Sequence, residues 1–557
     1  MRKAILITVG ILLVLSIPAL WLYGRPAYRQ YKEKRALEQA KAYLAKEDYR
    51  EASVSARMAL VLNSTNLEAV QIMCQLAELA RAPQALDWRR RIVEISPTAE
   101  NKLLLATAAL RSQPPSFPIA AETLKDLSNS PPFSVQFHLT CAEMCLKLND
   151  FHGAKQNFEA AGRLDPTNEL HRLNLSVLRL NSTNQTEAAA GRAELERLKV
   201  LTNLGPVALR WLVADSLKRE DFAAATSLSR ELLKTDAANW DDRLQYLTVL
   251  HGGLHSDYPA ELKAVQTAGS TNSLQAYMTA AWMLKHGQVD EALSYLQHCP
   301  AKVKNQQPAP MGMVDCLMTK KDWSGLDAFL SEQKWGEIEF LRLAFWSRAL
   351  AELKQAMASD ARWRSAVREA GDRMGPLTAL LEMAGKWGRT KDVEDLLWQI
   401  NQRFPREKWT LRELDRIYMQ SGNTRGLNKV YASIVKSEST NYVAKNNLAA
   451  TSLLINPKDL GNAHQMAKEV YTEHPENASI ASTYALSLYR QKRTKDALEV
   501  LEKLPPASLA DPSVAFYYGI ILAASGQTSK AESYVQKAKA ATLLPEEKAL
   551  LNEVRRK

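Results

Sequence analysis

Cysteine is scarce in this chain. Cys74, Cys141, Cys145, Cys299 and Cys316 are the five copies among 557 residues. An odd, sparse set excludes a disulfide framework, and no CxxC pair offers zinc-ribbon spacing. Histidine is thin as well, with nine scattered copies. No GxGxxG, Walker A loop, HExxH or GxSxG occurs, so no phosphate cradle, metalloprotease helix or nucleophile elbow is written into the chain. Nothing assembles an acid–base or nucleophile constellation. The chain therefore reads as a non-enzyme with no catalytic residue, no metal and no cofactor. Long basic tracts are also missing. The net charge of +11 comes from 72 Lys and Arg mixed with 61 Asp and Glu, a pattern of a solvated surface rather than of a nucleic-acid face. No strand-like alternation stands out.

What is present begins with one apolar run. After a basic tail at 1–3, residues 4–24 (AILITVGILLVLSIPALWLYG) carry no charge. That is long enough to span a bilayer as a helix, with Trp21, Tyr23 and Tyr28 where an interfacial aromatic belt lies. A cleaved signal peptide is the rival, but no A-x-A-like site follows the run. The expectation is an uncleaved signal-anchor and a single-pass membrane protein. The basic residues Arg25, Arg29, Lys32, Lys34 and Arg35 argue for a cytoplasmic C-terminal side. The short basic tail ahead of the run argues for the extracytoplasmic, periplasmic side, which is the orientation expected here.

The rest of the chain keeps rewriting one ending. LNSTN (62–66), ISPTA (95–99), LDPTN (164–168), TDAAN (235–239), SESTN (437–441) and EHPEN (473–477) recur. Aligned on those endings, a period of 34 emerges. Ala142, Phe151, Ala154, Phe158 and Ala161 recur as Ala40, Tyr49, Ala52, Ala56 and Ala59. Ala280, Val289, Ala292 and Leu296 fall in the same register, as do Gly519, Ala531, Val535 and Ala538. Small residues at positions 8 and 20 let two helices approach closely, and bulky residues at 17 and 24 are expected to fill space toward the next unit. Proline near position 32 ends the second helix, and the adjoining Asn or Asp caps or turns the chain into the next one. Such a period is a signature of the tetratricopeptide repeat.

The resemblance is densest at 441–545, where Leu448, Ala449, Ala463, Ala467, Pro475, Ala485, Ala497 and Leu501 hold repeat positions. This stretch is similar in cadence to the repeats of bacterial membrane-anchored scaffold proteins of PEP-CTERM and exopolysaccharide systems. The resemblance implies an all-α fold, a right-handed superhelical α-solenoid of helical hairpins behind one N-terminal transmembrane helix. Residues 33–550 hold about fifteen hairpins at this period. Two solenoids are expected, at 33–300 and 311–557, divided at the proline-rich QQPAP (306–310). The second comprises diverged Trp-rich repeats at 311–410 and clearer ones at 441–545. SQPPSFP (112–118) and SNSPPF (128–133) are expected to flank one short, irregular hairpin.

The implied function is a membrane-tethered scaffold that holds a protein or peptide partner, an acidic one favoured over a neutral one, in a groove lined by the first helix of each hairpin. Register nominates Arg210, Tyr277, Tyr489, Arg490 and Phe516 for that groove. Ten of twelve tryptophans lie between Trp211 and Trp409. If exposed, those at 335–409 would support an alternative, a glycan-binding component of an envelope export system, since aromatic faces stack on sugars. A cytoplasm-facing membrane adaptor is the third reading. His138, Cys141 and Cys145 share one helix face and could hold a soft metal, but they fall on the packing face of a first helix, where cysteine behaves as a small hydrophobe. His251 and His255 flank two glycines, which breaks the helix they would need to act as a pair.

Overall fold

A computed structural model describes residues 25–80, 82, 84–129, 133–455 and 461–555. The chain is 79% helical, and no strand occurs among the described residues. Among the described residues, apart from two single-turn helices and the final one, thirty α-helices follow one another as fifteen antiparallel pairs. The chain divides into two compact units, one through Gly269 and the other from Ser270. Seven pairs fall in the first and eight in the second.

The small residues that carry the period are the contact points of the pairs. Ala40 and Ala52, Ala142 and Ala154, Ala280 and Ala292, Ala449 and Ala463, and Ala485 and Ala497 are all at most 3% exposed. A methyl group at each point lets the two backbones close to packing distance, and a larger side chain would force them apart. Gly519 goes further, since a Cβ there would sit 2.9 Å from Val535 Cγ2. Position 17 corrects the expectation. Tyr49 and Phe151 are the first residues of their helices and remain 45% and 58% exposed.

The recurring ending works as punctuation. Asn66, Asn168, Asn239, Asn441 and Asn477 each accept a backbone N–H of the helix that follows, at 2.9–3.1 Å, and Thr98 does the same at 3.2 Å. Each satisfies an N–H that a helix start leaves orphaned. A second cap, inside several of the pairs, was not anticipated. Asp48, Asp150, Asp221 and Asp322 start second helices by the same bond. The residue just before each, Glu47, Asn149, Glu220 or Lys321, is left-handed with φ of 56–60°. That reversal turns the chain back on itself.

Three organisational expectations change. QQPAP does not separate the units. The Ser273 hydroxyl donates to the Gln306 carbonyl at 2.5 Å and accepts from Ala309 N–H at 3.2 Å, which ties 306–309 into the second unit. The two earlier proline-rich stretches flank a single helix, Phe117–Ser128, which completes a pair with Ala99–Arg111. Finally, no helix among the described residues is long and apolar enough to cross a membrane. The longest, Arg25–Ala45, carries Arg25, Arg29, Lys32, Glu33, Lys34, Arg35, Glu38 and Lys41, far too many charges for hydrocarbon. The single-pass membrane localisation expected from the sequence is overturned on this finding. The segment 4–24 itself lies outside the described residues.

Candidate partner-binding surface

In the second unit, three first helices share one inner face. They are Tyr442–Ile455, Ala478–Arg490 and Pro512–Ala524. Residues three or four apart on a helix stand one above the other, so Asn446, Ala450 and Leu453 form one stripe. Ser479, Ser482, Leu486 and Tyr489 form a second, and Ser513, Tyr517 and Ile520 a third. The stripes change character along their length. Their N-terminal ends line an open cleft of about 710 Å³, walled by Asn446, Asn447, Ser479, Ser482, Thr483 and Ser513. Asn446 is buried, and its Oδ1 finds no hydrogen-bond partner among the described residues.

Their C-terminal ends are already covered by a segment of the same chain. Helix Pro545–Arg555 crosses them. Its Leu550 is 2% exposed and packs with Leu453, Leu454, Leu486, Phe516 and Ile520. The Tyr517 hydroxyl donates to Glu547, which also accepts the Leu544 N–H at 2.7 Å as the helix begins. The segment reaches one hairpin further back. The Thr424 hydroxyl donates to Glu546, and Leu544 packs on the cluster around Leu414, Tyr418 and Leu427. Burial pushes the Glu547 carboxyl above its ordinary value, against the opposing hydrogen bond from Tyr517. Burial also pushes the Tyr517 phenol well up, with Glu547 adding to the push and Arg490 opposing it.

The five residues nominated from register do not form one surface. Tyr489 is half-buried beneath the crossing helix, packed with the cluster that holds Leu550. Arg490 is half-buried too, with its Nε unpaired among the described residues. Phe516 is fully buried in that core, so it cannot touch a partner. Tyr277 lies elsewhere, half-buried near Asp315. Arg210 belongs to the first unit and is engaged. Its guanidinium donates twice to Asp242, both at 2.8 Å, and once to the Ala237 carbonyl. It fastens one hairpin to the next. The contribution of residues 543–555 was missed, because a register counted within each repeat cannot show a segment that returns across four hairpins.

The tryptophans also fall into the packing. Trp335 and Trp363 are buried, and Trp346, Trp387, Trp398 and Trp409 are half-buried. None of the six is exposed, so the condition for the glycan reading is not met. Burial pushes the Cys141 thiol up to about 11, as suits a packing residue.

Stacked helical pairs joined through small residues define a helical-repeat fold. A tetratricopeptide repeat family model matches residues 454–515, a stretch of the second unit. Among solved structures, the chain is similar to that of an APC/C hetero-tetramer, Cut9–Hcn1, at 13% identity and a TM-score of 0.28, covering 92% of this chain and 98% of that one. It is also similar to pilF of Pseudomonas aeruginosa, at 16% identity and a TM-score of 0.30 over 40% of this chain and 98% of that one. PilW, a type IV pilus biogenesis factor, aligns at 16% identity and a TM-score of 0.25 over 42% of this chain and 92% of that one. No curated protein matches in sequence.

Proposed function

We infer that this chain is a non-enzymatic scaffold whose second unit holds a helical segment of a protein partner on the inner face of 442–524. One observation carries this reading: helix Pro545–Arg555 occupies that face. The surface is complementary to a helix that opens with two carboxylates, Glu546 and Glu547, and inserts leucines behind them. A partner of the same chemistry, acidic at its start and leucine-rich after it, competes for the same stripes. The open, amide- and hydroxyl-lined end of the cleft suits the backbone or polar flank of such a segment, since buried amides there need partners. Apolar anchors set in a groove supply most of the energy of helix-in-groove recognition.

The test is a labelled peptide of residues 542–555 titrated against the full chain and against its Leu550→Asp variant. The variant should release its own helix and bind the peptide, whereas the parent should bind it at least tenfold more weakly. Hydrogen exchange must show that 442–524 stays folded in the variant. A folded variant that leaves the peptide unbound would sink the reading.

A further inference from the structure

The first unit has an open surface of different composition. Between helices Tyr49–Leu62 and Ala85–Ile95, the second helices of the first two pairs, lies a cleft of about 970 Å³. Its floor is the C-terminal half of Leu67–Leu79. Leu60, Val61, Met73, Leu76, Leu79 and Trp88 line it. Val61 is 80% exposed and Leu79 56%, so a contiguous apolar surface faces solvent there, which marks an interaction site more often than chance exposure does.

Charge decides what fits. Arg50, Arg57 and Arg91 line the cleft, and no carboxylate does. Arg91 is oriented by its bond to the Ser64 carbonyl at 2.7 Å and lies against the Trp88 ring. Arg50 and Arg57 are exposed, seven residues apart on one helix face, and have no ion-pair partner among the described residues. Two free guanidiniums beside an apolar trough offer forked donors suited to carboxylates.

We propose that this cleft docks an amphipathic helix of a partner protein, with leucine-type side chains seated on Val61, Leu76, Leu79 and Trp88 and carboxylates on its flank paired with Arg50 and Arg57. The site is independent of the 442–524 face, since it lies on second helices of another unit. An acidic apolar helix satisfies both features at once: its stripe at i, i+3, i+4 and i+7 fills the trough, and its flanking acids meet the arginines. A neutral or basic helix fills the trough but leaves the cations unmet.

The probe is a fluorescein-labelled designed helix with leucines at that spacing and glutamates on both flanks, alongside a twin with lysines for glutamates. Both are titrated against the full chain at low and high salt. The glutamate helix should bind, and binding should weaken with salt, because exposed pairs are screened over about 8–10 Å. Arg50→Glu combined with Arg57→Glu should weaken it about fivefold to tenfold, in line with exposed ion pairs, and should strengthen the lysine twin. Val61→Asp should abolish binding of both. All three positions are exposed, so circular dichroism should not change. Leu550→Asp should leave this binding untouched, which separates it from the face in the second unit. Equal binding of the two helices, indifference to the arginine reversals, or binding of anionic phospholipid vesicles in place of the peptide would each overturn the proposal.

Discussion

Asp215 in the first unit and Asp315 in the second respond to burial in opposite ways. In the first, burial alone would raise the Asp215 carboxyl, but hydrogen bonds from Arg192 and Arg219 at 2.6 and 2.9 Å bring it below its usual range. Asp242, equally buried, holds Arg210. Lys199 reaches Glu231 at 3.0 Å and Arg230 reaches Asp257 at 2.6 Å. Consecutive hairpins from 185 to 257 are thus registered by charged clips. In the second unit, Asp315 meets no cation among the described residues, and burial pushes its carboxyl up to about 6. Ion pairs join hairpins there as well, Arg389 with Asp360 at 3.0 Å and Arg403 with Asp372 at 2.8 Å, but at 335–387 rings carry the joint. Trp335, Phe345, Trp387 and Trp363 contact one another in series, and the Arg362 guanidinium lies 3.7 Å from the centre of the Trp346 ring. The contrast shows that one repeat period tolerates two kinds of joint. Small residues fix each pair, and the joint between pairs is free to be ionic or aromatic.

The inner faces differ too: the second unit supplies its own occupant. The largest expected effect therefore comes from removing that occupant. Leu550→Asp places a charge at a 2%-exposed site and should destabilise the docked helix by on the order of 3 kcal/mol or more. Hydrogen exchange should rise over 543–555 and on the stripes beneath it, and stay unchanged in residues 25–269. Protection retained over 543–555 would mean the helix is held elsewhere.

An ionic joint should fail more gently. Arg210→Glu sets a second carboxylate against the buried Asp242, leaving that charge unpaired at a cost of roughly 2–3 kcal/mol. Repeat arrays melt locally because each unit touches its neighbours alone. Exchange should accelerate at 205–252 while the Trp-rich joints of the second unit keep their protection. Uniform destabilisation of both units would contradict the distinction between the joints.

Asp315 gives a comparison by pH. An acid whose folded pKa, about 6, lies above its ordinary 3.8 keeps its proton longer in the folded chain. Stability then falls as pH rises between those values, and the penalty is complete above about 6. Asp215, lowered in the fold, has the opposite sign: its contribution is present above the unfolded pKa and is lost as pH falls. Asp315→Asn should flatten the decline between about pH 4 and 6 in denaturant melts of the second unit, and Asp215→Asn should not. An unchanged profile in Asp315→Asn would show that the carboxyl is solvated in the folded chain.

How far the sequence disclosed all this depends on the distance over which each feature is encoded. Ala154 and Ala497 were legible because both helices they join lie within one period. The capping role of Asn168 was legible from its place after LDPT. The fate of Phe516 was not, because its neighbours Leu453 and Leu550 come from other repeats. Arg210 looked like a free groove cation for the same reason: Asp242 stands a full repeat away. Packing was the favoured role for Trp363 and a surface role the rival, but its neighbour Trp387 comes from the next hairpin. Features within a hairpin follow from periodicity, and features between hairpins require the stacking itself.

The smallest effect tests the covered face at a single hydrogen bond. The Tyr517 hydroxyl donates to Glu547 where the polar cleft meets the crossing helix. Tyr517→Phe keeps the ring and removes the donor. Glu547 would retain the Leu544 N–H, so its carboxyl is left partly rather than wholly unsatisfied, and the loss should be about 1 kcal/mol. With its carboxyl raised by burial, Glu547 is easier to bury protonated, so docking should strengthen as pH falls toward the carboxylate range. Removing the Tyr517 donor takes away a bond that favours the charged form, so the variant should show a steeper pH dependence than the parent. The measurement is hydrogen exchange of 545–555 across acidic to neutral pH in both proteins. Parallel profiles would mean that Glu547 is not the group that couples this helix to its groove, and the covered face would then rest on the leucines alone.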